Sequence, residues 1–299
     1  MLIPNINTVV NRTAVSMKAS REQRAEGLKE FEFTTRDFER VRALIYRCAG
    51  IALAPGKQEM VYSRLARRLR SVGIQSFEKY LDELERDRGS AEWEAFTNAL
   101  TTNLTSFFRE EHHFPILAEH VRNRREVSVW CSAASTGEEP YSIAMTLCET
   151  YGTLTPPAQV LATDIDTNVL ATAEAGIYPA ERVERLSPER LRRFFLRGTG
   201  AQSGFVRIRP ELRKMITFRQ LNLLDDSYRI ASAFDVVFCR NVMIYFDKPT
   251  QGRILSRFAP LIKPDGLLFA GHSENFLYVS DAFKLRAKTV YQLAPARAT

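Results

Sequence analysis

The stretch Val127–Ala144, VSVWCSAASTGEEPYSIA, combines a short apolar run, a loop of small residues and the start of a helix. The run Val127–Cys131 is typical of a buried parallel strand. The loop Ala133–Gly137 is small enough for a ligand to approach its backbone, yet it has one glycine where a dinucleotide-binding fingerprint has three. A strand, a tight loop and a helix in this order predict an α/β fold with a ligand at the loop.

Similar apolar runs recur further along the chain and alternate with helical patterns. Further strands are predicted at Val160–Thr163, Phe234–Cys239 and Leu267–Ala270, and helices near 139–151, 167–175 and 249–262. This alternation predicts a doubly wound, Rossmann-like sheet. A basic, turn-rich segment interrupts it at about 177–220, and within that segment Phe205–Arg209 alternates apolar and basic residues. We therefore predict that a small antiparallel β-subdomain is inserted there.

The pattern before the sheet is helical throughout. One apolar face, with Thr35 as its cap and Gly50 as its stop, contains Phe38, Val41, Leu44, Ile45 and Cys48. Three more helices are predicted at about 57–72, 77–87 and 91–102, the last two capped by Ser76 and Ser90. We predict a small all-α domain at 31–102, then a sheet-containing domain at 103–299. Residues 1–30 are polar and weakly periodic, which predicts a flexible tail.

Composition excludes several classes of protein. The chain has 299 residues, of which 45% are hydrophobic and 26% charged, as is ordinary for a globular protein. No apolar run approaches the roughly 20 residues of a membrane span, and the N-terminus lacks a signal-peptide pattern. The four cysteines form no C-x-x-C pair and the four histidines have no zinc spacing. We therefore expect a cytoplasmic protein without membrane insertion or a metal. Its formal charge of +7 indicates an acidic partner.

Three acids near the loop indicate the kind of ligand. The helix after the loop opens with Glu138 and Glu139, whose carboxylates would repel a pyrophosphate and attract an ammonium or sulfonium group. Asp164 follows the next strand, where an acid can bind ribose hydroxyls. A ligand with a ribose and a cation but no phosphate is S-adenosylmethionine. The alternative is that the two glutamates only stabilise the N-terminus of their helix.

Several unbroken sequence blocks carry a resemblance to a known family. In order they are NALTTNLTSFFRE at 98–110, ASTGEEPYSIA at 134–144, DIDTNVL at 164–170, FDVVFCRNVMIYFD at 234–247 and LLFAGHSENF at 267–276, preceded by MVYSRLARRLR at 60–70. From about Phe38 to the C-terminus the chain resembles the bacterial chemotaxis receptor methyltransferase (CheR) family. The resemblance implies an S-adenosylmethionine-dependent enzyme that methyl-esterifies glutamates on the cytoplasmic helices of chemoreceptors.

The resemblance also implies which residues form the site. The positions that correspond to the family's cofactor pocket are Asn103, Thr105, Arg109, Glu139, Asp164, Asn222, Leu223, Arg240 and Asn241. Among these, Asp164 corresponds to the ribose-binding acid, and Asn222 and Leu223 correspond to contacts on the adenine side. Arg109 and Tyr245 correspond to the residues proposed for the transfer site.

The implied chemistry needs no general base. A glutamate nucleophile, with a reference pKa of about 4.3, is already ionised at neutral pH. Alignment of the reacting atoms and exclusion of water are what accelerate the transfer. We expect Arg109 to hold the incoming carboxylate and Tyr245 to place its hydroxyl near the methyl group. The alternatives are a surface ion pair of Arg109 with Glu110 or Glu111, and a half-buried aromatic residue at a strand end for Tyr245.

Two surfaces are candidates for receptor binding. The helix near 57–72 is predicted to present a basic outer face made of Lys57, Arg64, Arg67, Arg68 and Arg70. The family resemblance favours docking of this face, Arg64, Arg67 and Arg68 in particular, on an acidic receptor helix bundle, although a solvated charged face is the alternative. Gly198, Thr199 and Gly200 correspond to a turn that, in some relatives, lets a receptor's C-terminal tail peptide add as an extra strand. Its alternative is a plain hairpin turn.

Three other functions are open to the sequence. The basic charge would suit a nucleic-acid methyltransferase, but RNVMIY at 240–245 differs from the N/D-P-P-Y/F motif of amino-group base methylases, so no nucleic acid is expected. A non-catalytic sensor or scaffold that binds S-adenosylmethionine would have no need of Arg109 and Tyr245, and both are present. A small-molecule O-methyltransferase would leave the basic helices and the β-insert without a purpose. The sequence favours the receptor glutamate methyltransferase.

Overall fold

The computed structural model describes residues 29–87 and 89–295. The predicted flexible tail at 1–30 lies outside this part except for its last two residues, Lys29 and Glu30. Both of these form ion pairs with the helix Gln58–Val72: Lys29 with Glu59 at 2.7 Å and Glu30 with Arg70 at 2.8 Å. None of the helices in the described part combines the length and apolar character needed to cross a bilayer.

Four α-helices form the helical domain in the described part of the chain. They are α1 (Thr35–Ala49), α2 (Gln58–Val72), α3 (Phe77–Arg86) and α4 (Ala91–Leu100). Their apolar faces enclose one core that contains the fully buried Leu44, Leu65 and Phe96. The predicted helices are therefore confirmed, with ends that differ by one or two residues.

The caps of these helices differ in part from the prediction. Thr34, one residue before the expected Thr35, caps α1 in a capping box with Asp37. Ser76 caps α3 as predicted, since its hydroxyl accepts a hydrogen bond from the amide of the third helical residue. Ser90 occupies the N-cap of α4, but its hydroxyl donates to the carbonyl of Asp87 at 3.0 Å instead of capping.

Ten strands follow in the described part of the chain. They are β1 (Val127–Cys131), β2 (Ala158–Asp164), β3 (Ile177–Pro179), β4 (Phe195–Arg197), β5 (Phe205–Ile208), β6 (Ile216–Gln220), β7 (Phe234–Cys239), β8 (Ile262–Ala270), β9 (Phe283–Ala287) and β10 (Val290–Leu293). Seven of them form one sheet in the order β6-β2-β1-β7-β8-β10-β9, parallel from β6 to β8. β10 runs antiparallel to both of its neighbours. The predicted Rossmann-like sheet is confirmed.

Helices cover both faces of this sheet. They are α5 (His113–Val121), α6 (Glu138–Tyr151), α7 (Thr167–Ala175), α9 (Pro210–Met215) and α10 (Lys248–Phe258), while α8 (Pro188–Phe194) packs against β4. Because side chains alternate along a strand, Val129 and Cys131 enter the core on one face while Trp130 enters the core on the other. The chain runs outward from β1 to β2 and β6 and then returns to the other side of β1 as β7. The carboxyl ends of β1 and β7 therefore mark the switch point where ligands bind.

The predicted antiparallel β-subdomain is present. β3, β5 and β4 form a three-stranded antiparallel sheet with β5 in the middle. The predicted range of 177–220 extends too far, because Ile216–Gln220 is β6 and pairs in parallel with β2. As an edge strand, β6 mixes apolar and polar residues, so its pattern resembles that of the subdomain.

Candidate active site

A cavity of about 470 Å³ lies at the carboxyl ends of β1, β2 and β7, and the helical domain forms one of its walls. This volume is within the usual range of small-molecule sites. The structure brings together around it all the residues implied for the cofactor and for methyl transfer: Asn103, Thr105, Arg109, Glu139, Asp164, Asn222, Leu223, Arg240, Asn241 and Tyr245. Their individual roles stay predictions.

The loop between β1 and α6 is held from several sides. Ala134 donates its amide to the carbonyl of Thr163 at 2.8 Å, and the Tyr178 hydroxyl donates to the carbonyl of Thr136 at 2.7 Å. Gly137 has φ of 100°, and a Cβ there would lie 2.7 Å from the Tyr178 hydroxyl. The single glycine of the loop is thus required by its backbone conformation and by close packing.

Asp164 joins this loop to the end of β2. Its carboxylate accepts hydrogen bonds from the amides of Ser135, at 2.8 Å, and Asp166, at 3.0 Å. Burial nevertheless raises the pKa of Asp164 to about 6, because the two amides compensate only part of the lost hydration. The carboxylate lines the cavity where a ribose-binding acid is predicted.

A buried ion pair links α6 to the end of β7. Arg240 Nη1 lies 2.8 Å from Glu139 Oε2, and the side chains of the pair are 0% and 10% exposed. The other carboxylate oxygen of Glu139 accepts from the Cys131 thiol at 3.3 Å. Burial raises the pKa of Glu139, and the charge of Arg240 opposes this effect. Arg240 Nη2 also donates to the carbonyl of Arg109, so one guanidinium fixes the strand end, the helix start and the linker before α5.

Glu138, the other acid at the start of α6, has a different environment from the one predicted. Glu138 is fully buried and lies outside the cavity lining. Its carboxylate accepts from Thr136 Oγ1 at 2.7 Å and from Arg182, which belongs to the segment that follows β3. Since an arginine pairs with each glutamate, the expectation that both carboxylates attract a cationic ligand is wrong for Glu138 and weakened for Glu139.

The two residues predicted for methyl transfer both face the cavity. Arg109 Nη1 donates to the carbonyl of Leu104 at 2.8 Å, and Arg109 forms no ion pair with any residue that the structure describes. The alternative of a surface ion pair is therefore not observed. Tyr245 belongs to the short 3₁₀ helix Met243–Tyr245 that follows β7, not to a strand end, and its carbonyl accepts from the amide of Ala52 at 2.8 Å.

Two predicted asparagines hold parts of the protein together. Asn103 Nδ2 donates to Asp166 Oδ2 at 2.8 Å. Asn222 Nδ2 donates to the carbonyl of Cys48 at 2.6 Å and so ties the region after β6 to the helical domain. A second, more open cavity of about 530 Å³ lies between the helical domain and this region, and Asn222 lines both cavities. The side-chain amides of Asn103 and Asn222 thus already donate hydrogen bonds within the protein.

Two acids that were not predicted as site residues, Glu274 and Glu110, organise the loop after β7. The Glu274 carboxylate accepts from the amides of Asn241, at 2.9 Å, and Met243, at 2.8 Å. Glu110 accepts from Asn241 Nδ2 at 3.2 Å and lies 3.0 Å from His272 Nδ1. Burial alone would raise the pKa of Glu110, but the hydrogen bond with His272 and the charge of Arg240 outweigh it and lower the pKa to about 2. Both acids lie within the sequence blocks that carry the family resemblance, and membership of those blocks is the signal by which they could have been predicted.

The same region contains a group that could bind a metal by geometry. Glu110, His112 and His113 each offer one ligand atom, all within 4.8 Å of one another. Arg240 Nη2 lies 3.6 Å from Glu110 Oε2, and its positive charge opposes a cation there. The expectation that no metal takes part stays a prediction.

The basic face of α2 is mostly engaged. Arg64 does not point outward as predicted but donates to the carbonyls of Leu100 and Thr101, at the end of α4, because helix C-termini attract cations. Arg68 Nε lies 3.0 Å from Glu92, so its charge is already paired. Arg67 is exposed and has no acidic partner in the described part of the chain.

The turn predicted for peptide binding connects β4 to β5. Gly198 donates its amide to the carbonyl of Phe205 at 2.9 Å, and a Cβ at Gly198 would lie 2.1 Å from the carbonyl oxygen of Gln202. Thr199 follows, and Gly200 has φ of 57°. The glycines are therefore required by the turn itself, and β4 is left at an edge of the small sheet.

Comparison with known proteins gives a consistent assignment. The model of the CheR methyltransferase all-alpha domain matches residues 36–101, and the model of the CheR methyltransferase SAM binding domain matches residues 103–292. The chain is 56% identical to a Chemotaxis protein methyltransferase of Klebsiella aerogenes over 282 residues, which cover 94% of this chain and 97% of the relative. It is 57% identical to that of Escherichia coli over 258 residues, 86% of this chain and 90% of the relative.

A further relative, Chemotaxis protein methyltransferase 2 of Pseudomonas aeruginosa, is 52% identical over 272 residues, or 90% of this chain and 96% of the relative. These matches span both the helical and the sheet-containing parts of the chain. They confirm the resemblance carried by the sequence blocks and do not favour the non-catalytic alternative. The chain therefore belongs to the CheR family of S-adenosylmethionine-dependent chemotaxis methyltransferases.

Proposed function

We propose that the protein transfers the methyl group of S-adenosylmethionine to glutamate side chains of methyl-accepting chemotaxis receptors, leaving glutamyl methyl esters and S-adenosylhomocysteine. One observation carries this proposal. Arg109, a cation without an acidic partner among the described residues, lines the same cavity as Asp164 and Tyr245. In this proposal, Arg109 would bind the carboxylate of the substrate and Asp164 would bind the ribose of the cofactor. The names of the relatives connect such an enzyme to chemotaxis.

The residues present suit S-adenosylmethionine. The lining offers the carboxylate of Asp164 for the ribose and the apolar Leu223 for the adenine. The loop after β1 lacks the repeated glycines that a pyrophosphate needs. Arg240 is neutralised by Glu139, so no strong positive charge repels a sulfonium from that side. Bound there, the cofactor would supply an electrophilic methyl group.

Arg109 is the proposed anchor for the acceptor glutamate. Its Nη1 is fixed by the carbonyl of Leu104, which leaves the remaining guanidinium donors for a carboxylate. This arrangement would orient the ionised nucleophile and limit its motion. Tyr245, which lines the same cavity, would place its hydroxyl near the methyl group and help to exclude water. No group needs to remove a proton from the acceptor at neutral pH.

Two surfaces would recruit the receptor. Arg67, with Lys57 at the cavity wall, offers positive charge for an acidic helix bundle. The free edge of β4, where Leu196 is 41% exposed, could pair with the receptor's C-terminal tail peptide next to the Gly198–Gly200 turn. This recruitment would bring a cytoplasmic enzyme to membrane receptor arrays.

Transfer to purified receptors tests the proposal. The full chain is incubated with methyl-labelled S-adenosylmethionine and cytoplasmic receptor fragments, with and without their last residues. We expect base-labile label that is released as methanol, because carboxyl methyl esters hydrolyse in base. A lower rate with the shortened fragments would support the peptide-binding edge of β4. No labelled fragment despite measured cofactor binding would contradict the proposed function.

A further inference from the structure

Two exposed apolar side chains lie at the cavity. Leu104 is 78% exposed and Ile244 is 50% exposed, and both line the cavity that contains Arg109 and Tyr245. We call these two residues the apolar rim. Large aliphatic side chains left open beside a binding cavity favour contact with a partner, because burying them releases water from apolar surface.

The apolar rim is attached to the residues proposed for methyl transfer. The carbonyl of Leu104 accepts a hydrogen bond from Arg109 Nη1 at 2.8 Å. Ile244 precedes Tyr245 in the same 3₁₀ helix, and the carbonyl of Tyr245 accepts from the amide of Ala52 in the helical domain. Each rim residue is therefore fixed relative to one transfer residue. Leu104 is therefore exposed apolar surface directly beside Arg109, and Ile244 is exposed apolar surface directly beside Tyr245.

The charges beside the rim select an acidic entrant. Lys57 and Arg109 line the same cavity, and neither forms an ion pair with a described residue. Glu110, the acid next to Arg109 in sequence, is already engaged, since it contacts His272 and Arg240. The combination of unpaired cations and exposed aliphatic groups fits an acidic side chain that is surrounded by apolar ones.

We infer that the apolar rim is the acceptor-helix contact of this enzyme and selects which glutamates are methylated. This inference rests on the proposed function. The acceptor glutamate enters towards Arg109, while apolar side chains about one helical turn before and after it cover Leu104 and Ile244. Residues three and four positions apart share one face of a helix, so a single helix can present all three groups.

The rim makes acceptor choice a matter of neighbouring residues. A glutamate flanked on the same helix face by lysine or arginine would have to bury those cations against Leu104 or Ile244, beside the unpaired Lys57, which is unfavourable. A glutamate flanked by apolar side chains meets no such penalty. We therefore expect the enzyme to discriminate between glutamates that are equally exposed and equally acidic.

The test uses the full chain and receptor fragments that lack their last residues, so that tail binding does not mask weak contacts. The variants are Leu104→Ser, Ile244→Ser and the conservative Leu104→Met. The matched control is Leu285→Ser, because Leu285 is 48% exposed on β9 and does not line the cavity. We measure KM and kcat for each fragment, and the affinity for S-adenosylhomocysteine separately.

We expect Leu104→Ser and Ile244→Ser each to raise the KM for the fragment about tenfold, as loss of a central interface contact does. The affinity for S-adenosylhomocysteine should stay at the wild-type value, and Leu285→Ser should resemble wild type. Leu104→Met keeps an apolar side chain at the rim, so it should raise the KM less than Leu104→Ser does. Unchanged KM in both serine variants would overturn the inference and leave the proposed function standing. Equal loss of S-adenosylhomocysteine affinity would also overturn it, since the rim would then be part of the cofactor pocket. If the wild-type protein labels no fragment, the proposed function fails first and the inference with it.

Discussion

Replacement of Glu139 by glutamine should destabilise this protein far more than an ordinary charge change. The variant keeps the size of the side chain but leaves Arg240, whose side chain is 0% exposed, without its partner at 2.8 Å. Breaking a buried ion pair by removing one partner costs about 3–5 kcal/mol. Arg240 keeps the carbonyl of Arg109 and the carboxylate of Glu110 at 3.6 Å. We therefore expect a loss of about 2–3 kcal/mol in the free energy of unfolding.

The same helix provides a matched control. Glu149, near the end of α6, pairs with Arg190 at 2.7 Å, and the two side chains are 31% and 33% exposed. Because water screens such a pair, Glu149→Gln should cost no more than about 1 kcal/mol. Urea unfolding can be followed by the fluorescence of Trp130, which is fully buried in β1.

Two results would refute this reasoning. If Glu139→Gln costs no more than Glu149→Gln, the buried pair does not hold the strand end and the helix start together. The double variant Glu139→Gln/Arg240→Met removes both members of the pair, so it should recover part of the lost stability. A double variant that is as unstable as the sum of the two single changes would show that the two residues do not interact.

Three further outcomes can be measured. Arg109→Ala should lower turnover roughly 100-fold, which raises the activation free energy by about 2.7 kcal/mol, while cofactor affinity changes much less. If the single-turnover rate and the calorimetric cofactor affinity fall equally, Arg109 only lines the cofactor pocket. Since the Asp164 pKa is about 6, cofactor affinity should fall as the pH drops below 6. The free fold should instead gain stability over the same range, because the Asp164 carboxylate binds the proton more tightly in the folded protein than in the unfolded chain. An affinity that is flat from pH 5 to about 8 would contradict this. Arg67→Glu should weaken receptor binding in a salt-dependent way, whereas Arg68→Glu should mainly lower stability by breaking its pair with Glu92. If Arg67→Glu leaves receptor binding unchanged at low salt, the basic face of α2 is not a receptor-binding surface.

The central strands could be predicted to the residue. β1 and β7 are buried on both faces and therefore appear as mostly apolar runs with sharp ends, each interrupted by one polar residue, Ser128 or Asp235. β9 and β10 were missed because they are short antiparallel strands whose exposed residues interrupt the apolar pattern. α5 was missed as well, since Pro115 and two histidines, His113 and His120, disturb its periodicity.

The partners of the site residues could not be predicted. Glu138 and Arg182 are 44 positions apart, and Asn222 and Cys48 are 174 apart, so no local pattern connects either pair. The helical period placed Arg64 on an outward face, but its long side chain reaches the carbonyls at the end of α4. Sequence blocks thus identified which residues surround the cavity, and only the tertiary structure shows which charges are already neutralised.

The bonds from Asn222 to Cys48 and from Ala52 to Tyr245 have a consequence for how this enzyme can be recombined. The helical domain contributes Arg64 and Leu100 to the wall of the cavity, so it forms part of the chamber proposed for methyl transfer and would not serve only as a docking surface. A chimera that exchanges this domain between relatives would also exchange one wall of the chamber. Receptor choice and catalytic competence would therefore have to evolve together in this protein.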